Sequence, residues 1–311
     1  WASTLLIGLF LAKLVWVLFM FIDDIVRLLK FTGNAVKKTP SPNAISRSQF
    51  IVTAGAVLAG TMFSSLVYGI AKGAHNYKVF NRKLKLKNLP KAFNGFKIVQ
   101  ISDVHSGSFW NKDAVAKGIQ LILDQKPDAI FFTGDLVNNV AQEMDAWKDT
   151  FATLKAKDGV YSVLGNHETW NGRDSWIEAF DAANSTVLEN KATIGTGPKR
   201  LCIIGVGDSY TGFAEMPTPS CEDLPTVTIT HDPYAVVELE GTGLWFAGHT
   251  HCGQVSLPFF KSIFAPTKAP RTAHCGIYQN REMTLITSSG VGNSLADIRF
   301  YSNSQVVIIR I

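Results

Sequence analysis

Phe96-Lys97-Ile98-Val99-Gln100-Ile101-Ser102-Asp103-Val104-His105 reads as a strand that runs directly into an acid and an imidazole. The run Phe96–Ser102 has the length and apolar content of a β-strand, and Asp103 and His105 follow it at once. The same arrangement recurs along the chain. Asp135 follows Asp128–Thr133 and Gly134, and Asn166 and His167 follow Gly159–Leu164 and Gly165. His231 follows Thr226–Thr230, and His249 and His251 follow Leu244–Ala247 and Gly248. Strand ends converge on one edge of a sheet, so side chains far apart in sequence can meet there. Glycines at 134, 165 and 248 allow sharp turns that aim those side chains inward. In Asp-x-His and His-x-His the alternate residues of an extended segment point the same way.

Hard divalent cations take carboxylate oxygens, amide oxygens and neutral imidazoles, and these motifs supply all three. Five of the seven histidines lie in them; only His75 and His274 do not. Any one motif alone would read as a hydrogen-bonded core histidine or a turn aspartate. Together, in this order, they point to a two-metal phosphoesterase site.

Working outward, further strands are expected at Leu201–Val206, Met283–Thr287 and Gln305–Ile311. Lys83-Leu84-Lys85-Leu86-Lys87 alternates with period two, and its lysines would protect a sheet edge. A helix is expected over Lys112–Gln125, with Val115, Ile119, Ile122 and Leu123 on one face and Asn111 as N-cap. Strands that alternate with helices early and crowd together late predict an α/β fold: two mixed β-sheets packed as a sandwich flanked by helices. A domain of about 230 residues buries a sizeable core unaided.

Ahead of that domain the composition changes. Thr4–Ile22 is apolar except for Lys13, and Phe50–Ala71 carries no charge. About 20 such residues cross a bilayer core as a helix, so residues 1–75 read as a membrane region with two spans, about 4–22 and 50–71, and residues 76–311 as the catalytic domain. Lys13 should snorkel or face a partner helix. Ala56-xxx-Gly60 would let another helix approach closely. The chain opens on Trp1, as a fragment or processed form would, with room for further spanning sequence ahead of it.

Sidedness is balanced. The basic loop between the spans argues for an outside domain, and the basic run after the second span argues for the opposite. Ser46-Arg47-Ser48-Gln49-Phe50-Ile51 is similar to a twin-arginine export signal lacking its second arginine, which tilts the reading toward an extracytoplasmic domain.

The net charge of +5 lies largely beside the apolar segments, where it suits anionic lipid head groups. No nucleic-acid binding is expected from it. Cys202, Cys221, Cys252 and Cys275 form neither a CxxC pair nor a zinc-finger spacing, and they suit two disulfides or four buried thiols equally.

The motif set resembles the calcineurin-like metallophosphoesterase superfamily over about Lys85 to Ile311. Gly248-His249-Thr250-His251-Cys252-Gly253-Gln254 is similar to the GHTHGGQ signature of its membrane-associated bacterial branch, as is the ending Ser289-Gly290-Val291-Gly292 through Ile298-Arg299-Phe300. Two departures stand out. Cys252 replaces a glycine, altering the loop or creating an oxidisable thiol. Asn138 replaces the second aspartate of the protein-phosphatase GDxxDRG motif, which argues against a phosphoprotein substrate.

The resemblance implies one metal on Asp103, His105, Asp135 and His251, and a second on Asp135, Asn166, His231 and His249, with Asp135 bridging. It implies Mn, Fe or Zn, attack by a metal-bridging hydroxide, His167 as general acid, and Glu168 as a supporting group. The implied function is hydrolysis of phosphodiesters or phosphomonoesters at a bacterial cytoplasmic (inner) membrane. Its anchored form adds a nucleotide-linked lipid precursor of the UDP-diacylglucosamine type as an alternative, cleaved as a pyrophosphate. Two further alternatives are a non-catalytic membrane scaffold, although such proteins lose ligands that this chain retains, and a membrane transport or receptor component whose globular part only senses ligand, although the two spans show no polar lining. Protein partners are not indicated.

Overall fold

The computed structural model describes residues 2–32, 46–85, 89–171, 173–188, 191–196, 199–207, 221, 224–238, 243–253, 267, 269–280, 283–294, 299 and 304–311. The chain divides into two compact units, Trp1–Lys72 and Gly73–Ile311.

In the first unit, α1 (Ala2–Thr32) packs on α2 (Arg47–Tyr68), which continues into a π-helical turn at Gly69–Gly73. Among the described residues one helix, Ser48–Gly73, is long and apolar enough to cross a membrane. The polarity is turned inside out: Leu6, Phe10, Leu14, Val17 and Phe21 are exposed, while Asp23 is buried. Arg27 Nε donates to Asp23 Oδ2 at 2.8 Å and Arg27 Nη2 to Ser48 Oγ at 2.6 Å, and Ser48 Oγ donates to Asp23 Oδ2 at 2.7 Å.

Helix α1 extends beyond the apolar run Thr4–Ile22 to Thr32, and in its last turns Asp23 and Arg27 form an i,i+4 pair that a helix accommodates. The close helix contact falls one residue from Ala56 and Gly60, which are exposed. Gly55 and Ala59 are buried instead, and a Cβ on Gly55 would lie 2.6 Å from Phe19 Cβ; one residue turns a helix face by about 100°. Ser46 and Gln49 form a reciprocal capping box, each side chain bonding the other's backbone N–H at 3.1 Å, which starts α2. Lys13 is exposed rather than packed on α2.

The second unit is a sandwich of two six-stranded mixed sheets. Its elements in order are β1 (Lys78–Lys83), β2 (Lys97–Ile101), α3 (Lys112–Leu123), β3 (Ala129–Thr133), α4 (Lys148–Phe151), β4 (Val160–Val163), α5 (Arg173–Ala182), β5 (Thr186–Val187), β6 (Lys191–Thr196), β7 (Lys199–Val206), β8 (Thr226–Thr230), α6 (Tyr234–Glu238), β9 (Gly243–Ala247), β10 (Gly276–Gln279), β11 (Met283–Thr287) and β12 (Gln305–Arg310). One sheet has the order β1-β12-β2-β3-β4-β5, the other β10-β11-β9-β8-β7-β6. Strands β2, β3 and β4 are parallel in the first sheet, and β8 and β9 are parallel in the second.

Ile98, Phe131, Val163, Ile203, Ile229, Phe246 and Ile309 fill the space between the sheets, with Phe131 and Phe246 in edge-to-face contact at 5.6 Å. On the other face of the first sheet, Val99, Ile101, Ile130 and Phe132 meet Val115, Ile119 and Ile122 of α3 and Phe180 of α5. Strands covered on both faces are apolar at nearly every position, and each residue of β3 is buried. Asn111 caps α3, accepting from Ala114 N at 3.0 Å.

The expected edge strand is displaced. Instead of Lys83–Lys87, the edge is Lys78–Lys83, paired parallel from Lys78↔Gln305 to Lys83↔Arg310. The ladder closes with Leu84 N donating to Arg310 O at 2.8 Å; alternation continues beyond it, where β12 offers no further pairing. Residues 86–88 lie outside the described residues.

Candidate metal centre

Five parallel strands, β2, β3 and β4 from one sheet and β8 and β9 from the other, deliver the candidate donors from the turns at their ends. The turns are not extended, as alternation predicts. Asp103, His105, Asp135, His249 and His251 all have positive φ, between 44° and 66°. A non-glycine residue there costs about 1–2 kcal/mol, and a cluster of such residues is a mark of a functional site. The turns are strapped together by Asp103 N to Gly134 O and His105 N to Asp135 O, both 3.0 Å, and Gly248 N to His231 O at 2.9 Å. Glycine is obligatory at all three turns, and a Cβ on Gly165 would run into Asp135 Oδ1. Gly134 has φ 88°, and a Cβ on it would lie 2.6 Å from His231 Nδ1; a Cβ on Gly248 would collide with Ser102 Oγ and Asp103.

All eight expected side chains meet. His251 Nε2 lies 3.1 Å from His105 Nε2 and 3.3 Å from Asp103 Oδ1. His231 Nε2 lies 3.1 Å from each of Asn166 Oδ1, His249 Nδ1 and Asp135 Oδ2. Asp135 Oδ2 is common to both groups, 3.6 Å from His105 Nε2 and 4.0 Å from His167 Nε2. The clusters Asp103/His105/His251, His105/Asp135/His167 and Asp135/His231/His249 each bring their donor atoms within 4.8 Å of one another.

The outward nitrogens are held from behind. His231 Nδ1–H donates to Thr133 O at 2.7 Å and His167 Nδ1–H to Asn138 O at 2.6 Å. A carbonyl only accepts, so each Nε2 lone pair is aimed into the site. Burial pushes His105 down to about 3 and holds His251 well below the usual imidazole range. Both imidazoles are therefore neutral, the form that ligates a cation. Burial pushes Asp103 up to about 6 although His231 draws it down. Asp135 is also buried, but His231, His105 and His167 outweigh that and hold it well below the carboxylate range. Carboxylates, an amide oxygen and neutral imidazoles crowded at these distances suit divalent cations.

Glu168 is buried and accepts from four backbone N–H groups: Asp135 at 2.9 Å, Leu136 and Gly165 at 2.7 Å and Val137 at 3.3 Å. It ties the Asp135 turn to the Asn166–His167 turn. His167 N donates to Asp135 Oδ1 at 3.1 Å, and His249 N to both oxygens of Asp103 at 3.0 and 3.1 Å. Ser102 Oγ also donates to Asp103. Sequence reasoning overlooked Ser102, the Thr133 carbonyl and the role of Asn138, whose backbone rather than side chain serves His167.

His75 and His274 stay outside the centre, as expected: His75 lies 5.0 Å from Trp110, and His274 bonds Ala269 O at 2.8 Å. The cysteines are paired, Cys202 with Cys221 and Cys252 with Cys275. Cys252 is thus no free oxidisable thiol. It occupies φ 51°, a glycine-like conformation next to His251, and fastens the His249–Gly253 turn to Cys275. Thr250 Oγ1 donates to His274 O at 2.5 Å alongside that bridge.

Residues 96–253 match the calcineurin-like phosphoesterase family, and residues 1–74 match a probable calcineurin-like phosphoesterase transmembrane domain. The chain is 27% identical to the uncharacterized metallophosphoesterase YkuE of Bacillus subtilis, over 85% of this chain and 96% of that protein. It is 30% identical to the phosphodiesterase YaeI of Escherichia coli, over 70% of this chain and 82% of that one. A transmembrane protein with a metallophosphoesterase domain from Danio rerio is 24% identical over 95% of this chain and 71% of its own length. The chain belongs to the calcineurin-like metallophosphoesterase family, hydrolases of phosphoester bonds, and carries a transmembrane domain ahead of its catalytic unit.

Proposed function

We propose that this chain is a membrane-anchored phosphodiesterase with a two-metal centre, one ion on Asp103, His105, Asp135 and His251 and the other on Asp135, Asn166, His231 and His249. The observation that carries this reading is Asp135 Oδ2, which faces donor atoms of both groups. Two divalent ions of the Mn, Fe or Zn kind would supply Lewis acidity and an activated water. With four positive charges set against Asp103 and Asp135, the site keeps a net positive balance toward a phosphate oxyanion. His167, half-buried and held through Nδ1 by Asn138 O, presents Nε2 to the centre, and as an imidazolium it would pass the Nε2 proton to the leaving oxygen. Glu168 keeps the two turns in register through its four N–H partners.

The diester preference draws support from the name of YaeI. Both apolar helices, α1 and α2, are read as spans of a bacterial inner membrane, with Lys13 snorkelling to its edge. Two disulfides in the catalytic unit favour the oxidising, extracytoplasmic side. An anchored enzyme meets anchored substrates at high effective concentration, which favours a lipid-linked diester or pyrophosphate.

The test is turnover of bis-p-nitrophenyl phosphate and the matching monoester by the detergent-solubilised full chain, stripped of metal and given Mn, Fe or Zn. Metal-dependent diester turnover is expected. A chain that binds no metal, or cleaves neither ester nor a lipid-linked pyrophosphate, would sink the reading. Full activity on soluble diesters with none on lipid-linked ones would remove the lipid substrate alone.

A further inference from the structure

Arg299 is almost fully buried, 3% exposed, beside the candidate centre. A guanidinium taken out of water costs several kcal/mol unless its donors are spent on good acceptors. Arg299 Nη1 donates to Ser289 O at 2.8 Å, and Nη2 donates to Gly292 O. Nη2 also lies 3.4 Å from His251 Nδ1. The planar fork therefore grips two carbonyls three residues apart and fixes the curvature of the loop between them.

That loop backs the Asp103–His105 turn. Val291 N donates to Ser102 O at 2.9 Å, and Gly292 N donates to Asp103 O at 2.8 Å. The two backbones are so close that a Cβ on Gly290 would lie 2.6 Å from Asp103 Cβ, and one on Gly292 would run into Val104 O. The turn being supported holds Asp103 and His105 at positive φ, a conformation it keeps only under constraint from its surroundings. In the other half, the Asn166 turn and His231 have different fastenings, through Glu168 and Thr133 O, while His249 N bonds Asp103.

We propose that Arg299 is a positioning residue for one half of the centre, holding Asp103, His105 and His251 in place through the Ser289–Gly292 loop and leaving Asn166 and His231 to other supports. The inference rests on the two-metal reading above. Arg299 touches no substrate; its effect is on cation affinity at one of two positions.

The experiment is Mn(II) titration of the full chain in detergent, followed by electron paramagnetic resonance and by metal content after desalting. The unchanged chain should hold two Mn ions with the spectrum of an interacting pair. Arg299→Gln should hold one, isolated ion, with affinity at the other position lowered about 10–100-fold. Arg299→Lys keeps the charge but not the fork, so it should fall between the two. The lost half is identified by double variants: Arg299→Gln with His251→Ala should still bind one ion, and Arg299→Gln with His249→Ala should bind none at the same concentration. Where Arg299→Gln fails to fold, Arg299→Lys carries the test, since it keeps the buried charge and loses only the two-carbonyl grip. Two tightly bound ions in the folded variant, or equal weakening of both, would overturn the assignment. An unchanged chain that never binds two ions would overturn the two-metal reading together with it.

Discussion

Both units of this chain bury carboxylates, and they do so in opposite ways. In the helical unit, buried Asp23 accepts from Arg27 and Ser48, and Arg27 also donates to Ser48, which closes a triangle at the surface. In the sandwich, His105, His231, His249 and His251 aim ring nitrogens at one another and at two carboxylates at 3.1–3.6 Å. The triangle is complete as it stands. The second arrangement brings carboxylate oxygens and imidazole nitrogens together, a set of donor atoms that suits cations. Closed polar burial holds a fold together; open convergence binds something.

The largest test of that contrast is Asp135→Asn. Its Oδ2 serves both groups, so the variant should lose both metals and fall to background turnover, read by metal content and diester hydrolysis. Retention of one tightly held metal with partial activity would show that Asp135 is not shared. His167→Ala comes next. This side chain faces the centre but is fastened through Nδ1, so metal content should persist while turnover falls about 10²–10⁴-fold, the range of a lost general acid. If the variant lost metal as well, His167 would be a ligand and its catalytic role would be withdrawn.

Much of this was legible in the sequence because the candidate donors sit directly after apolar runs that a buried strand requires. Asp103, Asp135, Asn166, His231 and His249 each follow such a run, and all reach the centre. The shape of the turns was not legible: the spacing Asp-x-His suits an extended segment, whereas the chain adopts left-handed φ at both residues. Edge strands were misjudged for a related reason. Strand β10 is exposed at Gly276, Ile277 and Gln279, so it shows no buried face for a pattern to reveal. The Lys-Leu alternation marked an edge but not its register, which the Lys78↔Gln305 pairing sets across the whole unit. Cysteine pairing and the grip of Arg299 depend on neighbours distant in sequence, and no local pattern encodes them.

Glu168→Gln probes a closed network inside the catalytic unit itself. The carboxylate serves four N–H donors, and an amide would turn an NH₂ group toward some of them. The expected cost is about 1–3 kcal/mol of stability, seen as a lowered melting temperature, with weakened metal binding in both halves because Asp135 and Asn166 lose their common tie. A stable variant that still binds metal normally would show that the turns hold their shape without it.

The smallest effect is expected at Ser48→Ala, in the helical unit. The hydroxyl accepts from Arg27 and donates to Asp23, but Arg27 Nε still reaches Asp23 directly at 2.8 Å after its removal. The network is therefore thinned rather than opened, and the cost should be about 1 kcal/mol. It should appear as a small drop in the thermal or denaturant midpoint of the helical signal in detergent, with diester turnover and metal affinity unchanged. A clear change in turnover at constant helical stability would contradict the contrast drawn above, because a closed polar network in the anchor would then be acting on the chemistry. Equal stability in both proteins would show instead that Arg27 and Asp23 suffice. The triangle would then reduce to a single ion pair, worth little on an exposed guanidinium.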